Sequence, residues 1–164
     1  MGDNSSVLLI LFIVGLPVIA LILGFVLEAS KKRKINDQIE RLASGVEELT
    51  PEEFFKLRNH SFGGQGRPSY ARTKNFAGVY ILFNKTKNMY YVGQAQKILD
   101  RVNNHFTGKG NGDVYADYKY GDEFTIKMLA LEGSGFSSLN ELERHTISKY
   151  NAFSKGYNKT RGNH

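Results

Sequence analysis

Between Val7 and Leu27 the chain reads VLLILFIVGLPVIALILGFVL, 21 residues without one charge. At ~1.5 Å per residue a helix of that length covers the ~30 Å hydrocarbon core of a bilayer. Gly15, Pro17 and Gly24 interrupt the run, and lipid-embedded helices tolerate such residues. A buried core helix is the alternative, but it needs an apolar sleeve on every side, and the remaining sequence does not supply one. A cleaved signal peptide needs a positive leader and a shorter apolar stretch; the leader here is MGDNSS. Lys31, Lys32, Arg33 and Lys34 follow the run. Positive residues stay on the cytoplasmic side. The sequence therefore predicts a single-pass helix in the cell inner membrane, spanning about 7–27 within an N-terminal segment 1–30. The N-terminus would lie outside and the rest in the cytoplasm, its basic cluster near anionic lipid heads.

The charge is as uneven as the hydropathy. All 22 Lys and Arg lie after residue 30, against 14 acids, so that part carries +8. A basic body suits a polyanionic partner, nucleic acid or an acidic lipid surface. There is no cysteine, which excludes a disulfide framework, Cys-ligated zinc and a thiol nucleophile. With 41% hydrophobic and 12% aromatic residues, the chain is neither disordered nor collagen-like.

Residues 31–74 read as a basic juxtamembrane helix and linker. Ile35, Ile39, Leu42, Val46 and Leu49 step by 4, 3, 4 and 3, an a/d seam of about two heptads. The seam predicts a helical stalk. It could self-associate over 35–49 or pack its stripe on the following domain. Thr50-Pro51-Glu52-Glu53 reads as a helix start with a capping box, and a short helix through about Arg58 follows. His60–Lys74 is rich in Gly, Ser and Arg and reads as a loop.

The third segment, 75–164, alternates β-rich and helical stretches. Gly78–Phe83 and Met89–Gly93 should pair as a hairpin across the polar 84–88 turn. Residues 95–106 carry Ile98, Leu99, Val102 and Phe106 at helical spacing; Arg101 and His105, four apart, share one face. Phe124, Ile126, Met128 and Ala130 alternate as a third strand. Ser138–Tyr150 reads as a second helix, with Ser138 and Glu141 as its capping box and Glu143 near its core face.

Gly78-Val79-Tyr80, ten residues, then Tyr91-Val92-Gly93 resembles the signature of the GIY-YIG nuclease superfamily. The order of the later residues strengthens the resemblance: Arg101 with His105 and Phe106 in the next helix, Glu143 in a later one, and Gly156-Tyr157-Asn158 near the end. The resemblance implies an α+β domain, a three-stranded antiparallel sheet flanked by helices, here preceded by the transmembrane helix and stalk. It also implies a phosphodiester hydrolase acting on DNA, taken as double-stranded, with one divalent ion, magnesium or manganese. Carried over residue by residue, it makes Tyr80, Tyr91, Arg101, His105, Glu143 and Asn158 the catalytic set and Glu143 the metal ligand. Some members carry a second His after the arginine helix; this chain has Thr107–Asp113 with none.

The chemistry suits these residue types. Hydrolysis loads negative charge onto the phosphoryl oxygens and the leaving 3′ oxygen. A hard cation accepts carboxylate and water ligands, and an Arg fork grips phosphate oxygens. Tyr80 is implied to position or deprotonate water and Tyr91 to assist. A phenol of reference pKa ~10 is a weak base at neutral pH, and His105, titrating near neutrality, is expected to share the proton work. Gly93 reads as structural, a close backbone approach at a strand end. With no zinc finger, helix-turn-helix repeat or long basic arm in the sequence, low sequence specificity through phosphate contacts is expected. A tether would confine cutting to DNA arriving at the membrane, as in phage defence or superinfection exclusion. The competing class is a catalytically inactive, membrane-held module that binds nucleic acid or a partner. Retired domains usually lose the Arg or the Glu, and both are present.

Overall fold

The structure, a computed structural model, describes residues 15–61 and 69–162. The chain divides into two compact units, 1–38 and 39–164.

In the first unit the described residues are helical from Leu16 onward. The element α1 runs Leu16–Ser44 without a break, so the described part of the expected apolar span and the expected stalk up to Ser44 are one helix. Leu21, Phe25 and Leu27 are 63%, 72% and 69% exposed, and Leu16, Val18, Ile19, Ile22, Leu23 and Val26 are exposed as well. No helix among the described residues is long and apolar enough to cross a membrane. Residues 7–14 of the expected span lie outside the described residues, and Leu16–Leu27 alone would reach only ~18 Å.

The second unit is an α+β body. Its elements are the end of α1, α2 (Pro51–Asn59), α3 (Tyr70–Thr73), β1 (Gly78–Asn84), β2 (Met89–Ala95), α4 (Ile98–Phe106), α5 (Gly112–Lys119), β3 (Phe124–Ala130) and α6 (Leu139–Lys149). The sheet is three-stranded and antiparallel in the order β2-β1-β3. β1 is the central strand, and six of its seven residues are buried. Its partners are set opposite one another so that Tyr80 faces Gly93 on β2 and Met128 on β3. Asn84 closes the hairpin, its Oδ1 accepting from the Lys87 N–H at 3.0 Å, and Asn88 takes the left-handed conformation (φ 53°) that Asn tolerates well.

Side chains alternate across a strand, and β1 divides the core accordingly. Tyr80 and Leu82 enter a cluster with Phe54 of α2, Leu99 and Val102 of α4 and Val114 of α5. Val79 and Ile81 enter another with Ala43 of α1 and Leu142 and Ile147 of α6. Packing thus places the body's start at Ile39, well before residue 75. Ile39 is fully buried, Ala43 and Leu49 nearly so, and Leu49 bridges to Ile126 through two backbone hydrogen bonds. From Ile39 onward the heptad stripe serves its own domain, so packing does not support the expected self-association through 35–49.

The capping box at Thr50 forms as its residues dictate: Thr50 Oγ1 accepts from Glu53 N–H, and the Glu53 carboxylate accepts from Thr50 N–H. At α6 only half of the expected box forms. Ser138 Oγ accepts from Glu141 N–H, but the Glu141 carboxylate binds the backbone and hydroxyl of Ser137. Two elements go beyond the sequence reading. The one-turn α3 lies inside the stretch expected as loop. The helix α5 is capped by Asn111, whose Oδ1 accepts from Asp113 and Val114.

Candidate active site

The hairpin brings its two tyrosines together. The Tyr80 and Tyr91 rings lie 6.1 Å apart, and both contact the His105 ring of α4, at 5.2 and 4.9 Å. α4 is held in place by Asn75, which accepts from Leu99 N–H and donates to Asp100, and by Arg58 of α2, which pairs with Asp100 at 3.1 Å. Gly93 sits directly across from Tyr80. A Cβ there would land on the Tyr80 hydroxyl, so the structural reading of this glycine has a specific cause: it makes room for the phenol.

His105 is fully buried, and its two ring nitrogens have different partners. Nδ1 accepts the Asn111 backbone N–H at 2.9 Å. A nitrogen that accepts carries no proton, so in the neutral ring the proton sits on Nε2. Nε2 lies 2.9 Å from the Tyr80 hydroxyl oxygen and therefore donates to it. Gly110 permits this clamp, since a Cβ at that position would fall 2.6 Å from Nδ1. Burial, with Arg101 as the second cause, pushes the His105 pKa down to about 4. The near-neutral titration expected of His105 is thus corrected: it is a neutral donor of fixed tautomer, not a proton acceptor at pH 7.

Tyr80 is itself almost fully buried. Burial raises its pKa well above that of a free phenol, and the Tyr91 side chain adds to this. The Arg101 guanidinium beside the hydroxyl pulls the other way. Arg101 is exposed along most of its length and presents its charge where the buried phenol meets solvent.

Glu143 stands on the other side of β2. The α6 helix packs its Leu142–Glu143 and Thr146–Ile147 edge inward, which leaves Glu143 buried at the rim. Its Oε2 accepts from Gln94 Nε2 at 2.9 Å, and the same Gln94 amide donates to Asn140 Oδ1 at 2.7 Å. A cleft of about 300 Å³ joins the two sides and is lined by Tyr91, Val92, Asn111, Glu143, Tyr157 and Asn158 among others. Because β2 is the edge strand, groups from both sheet faces can reach one opening around it.

Asn158 reaches the same cleft with its amide already engaged. Its Oδ1 accepts from Val92 N–H at 2.9 Å and its Nδ2 donates to Val92 C=O at 2.7 Å. It behaves as an added rung on the sheet edge. The preceding Tyr157 donates to Asp117 at 2.6 Å and accepts from Asn84 at 2.7 Å, which pins this segment to α5 and β1. Of the six expected site residues, Tyr80, Tyr91, Arg101 and His105 gather on one side of β2, Tyr91, Glu143 and Asn158 line the cleft, and the Asn158 amide is spent on Val92. The sequence reading missed Gln94, Asn111 and Asn140. Gln94 directly follows the second motif, which was the one available hint.

Among the described residues no three His, Cys, Asp or Glu cluster to cage a metal. The donor set offered is one buried carboxylate with a neutral amide on one oxygen, lining a cleft with room for several waters. That fits magnesium or manganese, which keep several waters and rely on one or two carboxylates plus substrate phosphate. It does not fit an all-protein zinc cage.

No curated protein matches the chain significantly. Among solved structures, a mutant of the catalytic domain of intron endonuclease I-TevI is similar at 23% identity and a TM-score of 0.41. The match covers 53% of this chain and 96% of that one. The GIY-YIG catalytic domain model matches residues 76–158, just over half of the chain, and the match includes all six expected site residues. The chain therefore belongs to the GIY-YIG catalytic domain family and is an endonuclease of that type.

Proposed function

We propose that this protein is a membrane-tethered DNA endonuclease that uses a divalent ion and cuts with low sequence specificity. Its targets would be DNA arriving at the membrane, as in phage defence or superinfection exclusion. The observation that carries the hydrolytic reading is the single cleft into which Tyr91 and Glu143 both open, with Tyr80, His105 and Arg101 wired behind Tyr91.

In this reading a water attacks the phosphorus and the bond to the 3′ oxygen breaks. Arg101 holds the phosphoryl oxygens as their charge grows. Tyr80 orients the attacking water; in the fraction of chains that have first given the phenol proton to hydroxide from solvent, the phenolate takes the proton of that water. His105 Nε2–H and Arg101 both point donors or charge at the Tyr80 oxygen, so the phenolate form is the one they stabilise. Tyr91 shields and orients this pair. Glu143 would hold the ion, and Gln94, donating to its Oε2, orients that carboxylate. The ion, when bound, neutralises charge on the leaving oxygen as a Lewis acid.

The tether rests on three features. The 7–27 run is uncharged and long enough to span, and Lys31–Lys34 follow it. The large apolar side chains of Leu16–Leu27 are exposed all around their helix, an arrangement that calls for lipid or another apolar cover.

The test of the chemistry is plasmid cleavage by the full chain with magnesium or EDTA, beside Glu143→Ala and Arg101→Ala. Metal-dependent cutting lost in both variants supports the reading; metal-independent cutting, or full activity in either variant, overturns it. For the tether, deleting residues 1–34 should abolish protection against incoming DNA or make the protein toxic. Equal and harmless protection by the detached form would sink that part.

A further inference from the structure

Arg144 follows the carboxylate Glu143 on α6 and faces a second cavity of about 410 Å³. This cavity is walled by Arg144, His145, Ser148, Phe153, Ser154 and Arg161 among others. It adjoins the catalytic cleft. Both are lined by Ile147, and Gly162, which lines the cleft, packs against the backbone of Arg144. The two cavities therefore meet at Ile147.

The lining has a consistent chemistry. Two guanidiniums and an imidazole converge, and the lining residues include hydroxyls and an amide but no carboxylate. Glu141 of α6 is tied to Ser137 and stays outside the lining, although Arg144 and His145 lie near enough for their charges to help hold its carboxyl below the usual range. The Arg161 guanidinium lies over the Phe153 ring, 5.4 Å from its centroid, an arrangement that holds the fork while leaving its N–H donors available. Phe153 stays 40% exposed. A concave site with two Arg forks beside an exposed aromatic face matches one ligand class well: a nucleotide unit, its phosphate on the arginines and its sugar or base against the ring.

We propose that this cavity is a second DNA subsite, which takes a phosphate of the cut strand flanking the scissile one. The proposal rests on the nuclease reading and extends it: grip on the substrate comes from outside the catalytic cleft. It also accounts for how a domain without a separate reading module would hold DNA long enough to cut, since phosphate contacts position the duplex without selecting sequence.

The experiment uses the full chain carrying Glu143→Ala, so that DNA is bound but not cut. Affinity for a fluorescent duplex is measured across a salt series, with and without Arg144→Ala plus Arg161→Ala. The double substitution should weaken binding about tenfold. It should also make the salt slope shallower by about 0.9, the value for one neutralised phosphate. The Lys versions at both positions should retain the slope. In the active chain the same Ala pair should raise KM for DNA and leave kcat unchanged. Unchanged affinity and slope would overturn the subsite while leaving the nuclease intact. A drop in kcat with KM unchanged would overturn it too, showing that the arginines merely support Glu143. A wild-type chain that neither binds nor cuts duplex would remove the nuclease reading and this site together.

Discussion

The two sides of β2, the α4 wall and the α6 wall, are built on opposite plans. The α4 wall is closed and wired: Tyr80 and His105 are almost completely buried, and each ring nitrogen of His105 has its partner. The α6 wall is open. Glu143 has one neutral partner, and the next residue, Arg144, is exposed. The closed wall can hold a proton at a chosen atom because nothing there rotates freely. The α6 wall holds its carboxylate through a single neutral donor, Gln94. In the proposed mechanism, proton handling and charge handling fall on opposite sides of one edge strand.

The largest effects should come from disabling each wall. Tyr80→Phe and Glu143→Gln should each lower kcat by on the order of 10³-fold, the scale for groups that act only as charge develops. The double variant should be hardly worse than the poorer single, because the two act on one event. Multiplicative losses in single-turnover kinetics would mean the walls work independently.

Next in size is acid stability. His105 has a folded pKa of about 4 against ~6.5 unfolded, so below pH 6.5 the unfolded state binds the proton first. The fold should lose up to about 3 kcal/mol as pH falls from 6.5 to 4. Urea unfolding at pH 7 and pH 4.5 checks this, and His105→Gln should flatten the difference. An equally steep loss in His105→Gln would place the acid sensitivity elsewhere.

The rate profile should show the closed wall directly. In the proposed mechanism Tyr80 must lose its proton to act, and its pKa lies above that of a free phenol. Cleavage at fixed metal should therefore climb about tenfold per pH unit between pH 7 and 9. A plateau beginning near pH 6.5 would instead make a histidine the base. The smallest expected change is Gln94→Ala. Removing the donor on Glu143 should weaken apparent magnesium affinity by about tenfold, seen in metal titrations of activity and of manganese resonance. An unaltered metal dependence would show that the α6 wall needs no support from β2.

How much of this could be read in advance follows the range of the interactions. The hairpin motif, the stripe of α4 and the position of Glu143 are local patterns, and all three appear where their spacing places them. The helix α5 was hidden because it opens on Gly112 and buries only Val114, too little for a periodic signal. The His105 tautomer depends on a backbone N–H six residues away, and the fixing of Glu143 on Gln94, 49 residues distant. Neither contact leaves a pattern in one sequence. Asn158 was legible as a motif residue, but its bonds to Val92 were not, because they exist only once the chain returns to β2.

That return has a consequence for behaviour in solution. Tyr90 and Val92 carry the backbone groups of β2 that face away from β1. Tyr157 N–H covers the Tyr90 carbonyl at 2.9 Å, and the Asn158 amide covers both polar groups of Val92. An uncovered strand at that position would offer a template for another chain to extend the sheet. The Gly156–Asn158 turn thus acts as a stopper against edge-to-edge pairing between copies. Asn158→Ala should raise the tendency to oligomerise in light scattering more than it lowers the melting temperature.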